Sequence, residues 1–282
     1  MAFRDVLLQL RSYPDPTPTT AIDEAVHFSK LLGAGISALT FEIRMNVPGN
    51  ALARRVLDIP AMIANERGNS VRNSRDLIAA FGAAATSAGL HHHHTVDRCM
   101  APEIPDIVTE YARLHDLTIL PIEEEAAFQE GVAQCVIFGS GRPVLLLPTG
   151  PKPARPVRLD TVGVAWDFSR PAARALADAL PLLLTAKSVR VVTVTNEKTI
   201  ETRRSASQLA RNLAAHDIEA VIENYDAAGL SIGGALKKYA AAHNLDLLVM
   251  GAYGHSRLRD FVQGGATKSM IDSPPLPIFL SH

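Results

Sequence analysis

The chain has 282 residues, of which 47% are apolar, and its formal net charge is -1. That length suits two domains better than one, and the apolar content is sufficient for a buried core in each. Acids and bases are interspersed, which argues against nucleic acid as a partner because such binding needs a basic surface. The N-terminal segment lacks the apolar run of a signal peptide, and no segment has the length of a membrane span. We therefore expect a cytoplasmic protein with no membrane partner.

The first half of the chain predicts strands that alternate with helices. Strand-like apolar runs occupy residues 5–10, 35–43, 117–120 and 142–148. From Ile104 to His115, apolar positions recur at helical spacing. The histidine run at residues 91–94 aligns with a strand of the second half, so alternate rings should lie on opposite faces. We expect an exposed edge strand there and no metal, because zinc sites usually need three or four protein ligands.

The second half repeats this order of elements. Residues 218–248 align with residues 90–120 without a gap at an offset of 128, which matches Tyr239 to Tyr111. The alignment also matches Leu245 to Leu117 and Leu248 to Leu120. Further strand-like runs occupy residues 161–166, 188–196, 245–250 and 276–282.

A proline-rich segment at residues 148–160 cannot sustain a helix or a strand and separates the halves. Strands that alternate with helices at these lengths predict a parallel sheet with right-handed crossovers. The sequence therefore predicts an α/β protein of two Rossmann-like domains, residues 1–150 and 157–282. Each domain should have a five-stranded parallel sheet in the order 3-2-1-4-5 with helices on both faces.

Ligands of such sheets bind beyond the carboxyl ends of the strands, where the strand order reverses. This rule predicts a site at the turns after the first and fourth strands. After the first strand of the second half, Ser169 and Pro171 are explained as the cap and the first turn of a helix. Asp167 is also placed to accept a hydrogen bond from a ribose hydroxyl or a base amine.

The turn after the fourth strand of the second half is rich in glycine. Gly251 and Gly254 are three residues apart, and Gly264 follows ten residues later, just before a helical segment. Glycine lets a ligand approach the main chain closely, and a helix start offers unpaired N–H groups to an anion. The segment predicts either a phosphate cradle or simple turns, and its position at a strand end favours the cradle.

The spacing G-x2-G-x9-G, the segment "AWDFS" and the closing "SPPLPIFLSH" resemble the universal stress protein family. The likeness is strong over residues 157–282 and weaker over residues 1–150, so the whole chain resembles a tandem member of that family. The resemblance implies that the second domain binds ATP, with or without magnesium. It implies a nucleotide site formed by Asp167, Ser169, Val194, Gly251, Ala252, Gly254, His255, Arg257, Gly264, Gly265, Ala266 and Thr267.

One residue of this segment departs from the family pattern. Gly265 stands where a serine or threonine usually follows the last glycine, and the next hydroxyl belongs to Thr267. The missing hydrogen bond to a phosphate oxygen would cost about 1–3 kcal/mol if that bond is charge-assisted. Arg257 and Arg259 either add positive charge toward phosphate or lie solvated on a loop.

The first half lacks the glycine spacing. Residues 123–125 are three glutamates near the place where phosphates would lie, and their carboxylates would repel phosphate. Arg11 and Ser12 stand near the place that Asp167 takes in the second half. We interpret residues 1–150 as a degenerate universal stress protein domain without a nucleotide motif.

Three hypotheses for the function follow. The first is a stress-response regulatory protein that binds ATP in its second domain, with little or no hydrolysis because no motif places a base for water. The second is a family member that binds no nucleotide and acts by protein association. The third is an enzyme of a related fold, such as an adenylate-forming ligase, but that class carries SGGxDS where this chain has "WDFSRPA". The resemblance favours the first hypothesis.

The last strand of each half favours association within the chain. The segments "PVLLL" and "PIFLS" are apolar, and at sheet edges they would leave main-chain donors and acceptors open. Pairing them would close both edges, and the resemblance implies the same intramolecular pseudo-dimer. The sequence leaves a further homodimer open.

Two other residue types are interpreted as structural. Cys99 and Cys135 have no accompanying pattern of base and orienting acid, so they are interpreted as ordinary thiols. His115 and His243 recur at matching helical positions, which favours packing over catalysis.

Overall fold

The computed structural model describes residues 3–46, 59–124, 126–150, 157–196, 205–252 and 265–282. The strands within these residues are β1 (Asp5–Gln9), β2 (Gly35–Ile43), β3 (His92–Cys99), β4 (Leu117–Glu123), β5 (Val144–Thr149), β6 (Thr161–Ala165), β7 (Ser188–Thr195), β8 (Ala220–Asp226), β9 (Leu247–Gly251) and β10 (Ile278–Ser281). The helices are α1 (Thr19–Leu32), α2 (Ile59–Ala88), α3 (Ile104–Arg113), α4 (Ala127–Gly139), α5 (Arg170–Leu183), α6 (Ala206–Ala214), α7 (Ile232–Ala242) and α8 (Ala266–Asp272). A 3-10 turn at Ala101–Glu103 precedes α3.

The strands form one sheet in the order β3-β2-β1-β4-β5-β10-β9-β6-β7-β8. Within each half all neighbouring strands are parallel, and each half has the predicted order 3-2-1-4-5. The predicted fold class is therefore confirmed. The histidine run begins β3, which lies at one end of the sheet as expected of an edge strand.

The two halves join through their last strands. β5 pairs antiparallel with β10, and Leu145 lies opposite Phe279. Phe279 also meets the ring of Phe3 edge to face, with centroids 6.1 Å apart. Neither β5 nor β10 is an open edge strand, because each has a hydrogen-bonded neighbour on both sides.

Both faces of the sheet are buried. Along β1, Val6 and Leu8 belong to one apolar core and Leu7 belongs to the other, as the alternation of side chains in a strand requires. The first core contains residues of α1, α2, α5 and α6, and the second contains residues of α3, α4, α7 and α8. Each core extends through both halves, so the packing is continuous across the β5–β10 pair.

The internal repeat changes its spacing before the fourth strand of each half. Asp116 accepts a hydrogen bond from the backbone N–H of Asp5 at 3.1 Å, and Asp246 accepts one from Thr161 at 2.8 Å. These equivalent aspartates are 130 residues apart in the sequence, and not 128. The constant offset is therefore wrong from the start of β4 and β9 onward.

This correction has a local cause in the turn between α7 and β9. The gapless alignment matched Leu117 to Leu245, whereas β9 begins at Leu247. Asn244 takes a left-handed backbone with φ +48, and the turn it makes holds the two additional residues. Leu117 consequently corresponds to Leu247 in the structure.

Helix α2 is the longest described helix, with 30 residues. It packs along α1 and β2 on the outer face of the first half. Neither α2 nor another helix in the described ranges combines the length and the apolar character that a membrane crossing would require.

Candidate functional site

The carboxyl ends of β6 and β9 lie side by side. Ala165 is opposite Met250 in the register of the two strands, and the backbone N–H of Trp166 donates to Val192 of β7 at 2.9 Å. The turns that follow β6 and β9 therefore leave the same edge of the sheet. The structure brings together at this edge the predicted site residues Asp167, Ser169, Val194, Gly251 and Ala252.

The turn after β6 is fixed by its own side chains. Asp167 Oδ1 accepts a hydrogen bond from the backbone N–H of Ser169 at 3.0 Å, and Ser169 Oγ accepts one from Ala172 at 3.2 Å. Phe168 between them has φ +62, which is unusual for a residue with a Cβ. The expected cap at Ser169, with Pro171 in the first turn, is confirmed. Asp167 thus orders the turn, whatever else its carboxylate contacts.

Gly251 is required by the protein's own packing. A Cβ at this position would lie 2.4 Å from the backbone nitrogen of Ala172 and 2.5 Å from the carbonyl carbon of Pro171. The first turn of α5 therefore occupies the space that we predicted for a ligand's approach to the main chain. This contact holds the start of α5 directly against the end of β9.

The start of α8 lies at the same edge. Gly265 is the cap residue, with φ -96 and ψ 163, and an added Cβ would have no atom of the described residues within 4 Å. Ala266 lies beside Gly233 in the first turn of α7, with 3.6 Å between the Ala266 Cα and a Gly233 Cβ position. Thr267, in the first turn of α8, is buried, with 6% exposure.

Four residues of the predicted nucleotide site belong to a segment outside the described residues. Gly254, His255, Arg257 and Gly264 lie outside the described residues, as do Arg259 and Glu125.

The matching position in the first half holds an ion pair. Arg11 follows the start of β1 by as many residues as Asp167 follows the start of β6. Its Nη2 donates to Glu123 Oε1 at 2.7 Å, and its Nε donates to the carbonyl of Asp15 at 2.7 Å. The backbone N–H of Glu123 donates to Gln129 at 2.8 Å. Glu123 is therefore neutralised by an internal cation and is not a free carboxylate.

Helix α2 covers the adjacent turn of the first half. Asn73 Nδ2 donates to the carbonyl of Ser12 at 2.9 Å, and Ser70 Oγ accepts from the backbone N–H of Ile43 at 3.0 Å. Ser12 is 2% exposed and its hydroxyl donates to the carbonyl of Phe41. The carboxyl ends of β1 and β2 are thus filled by protein groups.

Sequence patterns missed the contacts between the two halves at this edge. Ser273 Oγ donates to Glu124 Oε1 at 2.7 Å, and Lys268 of α8 lies 3.6 Å from Glu130 of α4. Burial raises the pKa of the Glu130 carboxyl, and the nearby Asp272 raises it further. The exposed residues of α4 carry no motif, so only the pairing of β5 with β10 could have indicated that α4 and α8 meet.

A second polar cluster lies on β7, β8 and α7. Arg190 Nη2 donates to both oxygens of Glu223, at 2.9 and 2.8 Å, and the Tyr239 hydroxyl also donates to Glu223. The Tyr239 hydroxyl and Arg190 hold the pKa of Glu223 below its ordinary value. Burial, followed by the bond to Glu223, raises the pKa of Tyr239 to about 12. His243 packs against the Tyr239 ring, with centroids 4.2 Å apart, so this histidine has a packing role.

The histidine run forms no metal cluster among the described residues, and the two cysteines are not activated thiols. His92 meets the ring of Phe81 edge to face, and the described residues contain no group of three or more side chains that could hold a metal ion. Cys99 is buried and Cys135 is exposed. Burial raises the pKa of Cys99 to about 11. Partial desolvation of the Cys135 thiol, with the nearby Asp106, also raises its pKa, which is the opposite of what an activated thiol needs.

Solved structures share this fold over nearly the whole chain. A universal stress protein from Archaeoglobus fulgidus DSM 4304 is 16% identical, with a TM-score of 0.72, over 98% of this chain and 95% of that one. A chain from Pseudomonas aeruginosa UCBPP-PA14 is 15% identical, with a TM-score of 0.59, over 99% of this chain and 93% of that one. The sequence matches no curated protein. At these identities the likeness establishes the fold alone.

The strand order and the two polar turns at one sheet edge define a Rossmann-like α/β protein built from two similar halves. The model of the universal stress protein family matches residues 159–282. The second half is therefore a universal stress protein domain, and the resemblance that the sequence motifs carried is confirmed.

Proposed function

We propose that the protein is a stress-response regulator that binds ATP in its second half and hydrolyses it slowly or not at all. The observation that carries this proposal is the adjacency of the Asp167 turn and the end of β9 at one sheet edge, within the part of the chain that matches the family. The glycine spacing begins at this strand end, and the sequence continues it through Gly254 and Gly264.

A nucleotide bound at this edge would meet residues of the turn after β6 and of the segment after β9. Asp167 and the neighbouring Val194 would contact the adenosine part, and the glycine segment that follows Ala252, up to Gly265, would hold the phosphates through backbone N–H groups. Among residues 3–46, 59–124, 126–150, 157–196, 205–252 and 265–282, no atom lies within 4 Å of a Cβ added at Gly265. Magnesium would be held by the phosphates. Slow hydrolysis follows because Asp167 already binds the Ser169 N–H and no motif supplies a separate base.

The first half does not contribute a second nucleotide site in this proposal. The Arg11–Glu123 pair and the covering helix α2 occupy its matching edge. The two halves then act as an intramolecular pseudo-dimer through β5 and β10, in a cytoplasmic protein. If ATP does not bind, the alternative is a regulator that works by protein association, and a homodimer is compatible with either function.

The protein carries a built-in reporter for this test. Trp166 is its single tryptophan and directly precedes Asp167. We expect ATP to change the Trp166 fluorescence of the full chain in a saturable manner. Asp167→Asn keeps an oxygen that can accept from Ser169 but removes the charge, so the turn should survive while ATP binds about tenfold more weakly. An unchanged titration curve for this variant would exclude the assigned role of Asp167, and no response of the wild type at millimolar ATP would favour association alone.

A further inference from the structure

Strand β3 ends the sheet on the side of the first half and presents main-chain groups on its outer side. Of the described strands, only β2 pairs with it. The carbonyls of His91 and Cys99 accept hydrogen bonds from the β2 side, at 3.0 and 2.7 Å. Successive residues of a strand direct their N–H and C=O groups to opposite sides. The even-numbered residues of β3 therefore direct theirs away from β2: His92, His94, Val96 and Arg98.

The side chains along this outer edge are exposed as well. His93, His94, Thr95 and Val96 are all exposed, and Val96 has 41% of its surface open. A strand of eight residues with outward N–H and C=O groups is a template for another strand, and proteins commonly block such an edge with lysine or proline. β3 contains neither residue type.

The strand at the opposite end of the sheet is less suited to pairing with a copy of itself. β8 carries Glu223 and Asp226 and no basic residue. Two β8 strands side by side would bring carboxylates together, and like charges opposite each other are destabilising. β3 carries the carboxylate of Asp97 together with Arg98 and three histidines. A second β3 is therefore the more complementary partner.

An antiparallel pair of β3 strands with its two-fold axis at Thr95 brings complementary groups together. In this register Thr95 lies opposite the partner's Thr95, and His93 lies opposite the partner's Asp97 on the same face of the sheet. Symmetry makes the His93–Asp97 contact twice. The outward groups of His94 exchange main-chain hydrogen bonds with those of the partner's Val96. Arg98 meets the partner's His92, but its charge is already paired with Glu42 at 2.6 Å.

Asp97 covers part of this edge within the single chain. Its Oδ1 accepts a hydrogen bond from the backbone N–H of Arg98 at 2.7 Å, and that N–H is one of the outward groups. Strand pairing takes up the same N–H and releases the carboxylate. The released carboxylate then lies where the partner's His93 meets it, so the group that covers the edge of one chain also binds across the pair.

We propose that β3 is the interface of a homodimer in which two chains join their ten-stranded sheets edge to edge. The proposal does not depend on the nucleotide site, which lies in the other half of the chain. One strand from each chain makes a small interface, so we expect a Kd of about 10–100 µM. The two-fold pairing is closed, whereas pairing β3 with β8 of another copy would extend into a filament.

Sedimentation velocity of the full chain tests the proposal between about 1 and 300 µM, a range that brackets this Kd. EDTA is present, so that no metal ion bridges the histidines. The mass should rise from 30.3 kDa to twice that value. Thr95→Asp places two carboxylates opposite each other at the two-fold axis and should stay monomeric throughout. The matched control is Val221→Asp, which adds the same charge to a 48% exposed residue of β8 and should dimerise like the wild type.

A charge exchange tests the register of the pair. His93→Lys puts a full positive charge opposite the partner's Asp97 and should tighten the dimer about two- to tenfold. Asp97→Lys should weaken it by a similar factor, and the double variant His93→Asp, Asp97→Lys should restore it. Amide exchange at His94 and Val96 should slow as the wild type dimerises, because their N–H groups become hydrogen-bonded.

Several results would contradict the proposed interface. A wild type that stays monomeric over the whole range would overturn it, and so would a Thr95→Asp protein that dimerises like the wild type. Loss of the dimer in Val221→Asp would place the interface at β8, and a mass that keeps growing beyond two chains would show head-to-tail pairing. A double variant as weak as Asp97→Lys would overturn the register.

Discussion

Arg11 and Glu123 form an ion pair of 2.7 Å at the carboxyl ends of β1 and β4, where the second half has its polar turn and glycine segment. The Arg11 side chain is only 11% exposed, while that of Glu123 is 39% exposed. The pair occupies, in the first half, the edge that corresponds to the proposed nucleotide site of the second half. The two halves share a fold but differ at this edge, because the first half has an arginine–glutamate ion pair where the second half has the Asp167 turn.

Removing the cation should destabilise the first half. Arg11→Met leaves the Glu123 carboxylate without its partner, and we expect the free energy of unfolding to fall by about 1–2 kcal/mol. The matched control is Arg174→Met, which breaks a pair with Asp178 on α5 whose arginine is 51% exposed, and it should cost below about 0.5 kcal/mol. Urea unfolding of both variants measures the difference. Equal losses would show that the Arg11 pair is no stronger than a surface pair.

Substitution by alanine should destabilise the protein strongly at Gly251 and only slightly at Gly265. Gly251→Ala places a Cβ 2.4 Å from the backbone of α5, and neither backbone can yield without separating the helix from β9. We expect a loss of about 1–3 kcal/mol or more, as in overpacked cores. Gly265→Ala adds a methyl group that meets no atom of the described part of the chain within 4 Å, so it should cost only about 0.5–1 kcal/mol, through the poorer helix cap. A Gly251→Ala protein as stable as the wild type would contradict the described packing.

Restoring the family hydroxyl should strengthen ATP binding. Gly265 has φ -96, which serine adopts freely, and no described residue has an atom within 4 Å of an added Cβ at this cap position. Gly265→Ser should stabilise α8 by a few tenths of a kcal/mol. It should also lower the Kd for ATP about three- to tenfold through one added hydrogen bond. Calorimetric titration against Gly265→Ala isolates the hydroxyl, and equal Kd values for the two variants would place the phosphates elsewhere.

Glu223 should contribute to acid sensitivity. Its pKa lies below the ordinary 4.5 because the Tyr239 hydroxyl and Arg190 bind the charged carboxylate. A depressed folded-state pKa gives stability that is present above pH 4.5 and is lost as the pH falls through the folded value. Glu223→Gln should therefore lower the free energy of unfolding at pH 7 and flatten its decline below pH 4.5. Exposed Glu219→Gln is the control, and identical pH profiles for Glu223→Gln and the wild type would refute the assignment.

Patterns of apolar residues were sufficient to predict the fold. The run "GISALTFEI" became β2 over the same residues, and the apolar segments that close each half became the paired strands β5 and β10. The periodicity inside each element is local, so a single sequence contains it. The offset of 128 failed at Asn244 because a left-handed turn residue can be accommodated without disturbing the helix before it.

The candidate site was predictable only in part. Ser169 was recognised as a helix cap because capping depends on neighbours in the sequence. The packing of α5 against Gly251 and the pairing of Arg11 with Glu123 were not predictable, because each depends on residues far apart in the chain. Motif spacing indicates where glycine is needed but does not indicate whether a ligand or a helix takes the space.

The central claim is that ATP binds once per chain, in the second half. Isothermal titration of the full-length wild type with ATP tests it most directly, beside Gly254→Asp, which adds bulk and negative charge to the glycine segment. The account predicts one ATP per chain for the wild type and no measurable binding for Gly254→Asp, with matching circular dichroism spectra. Two ATP molecules per chain, or equal affinity in the variant, would contradict it.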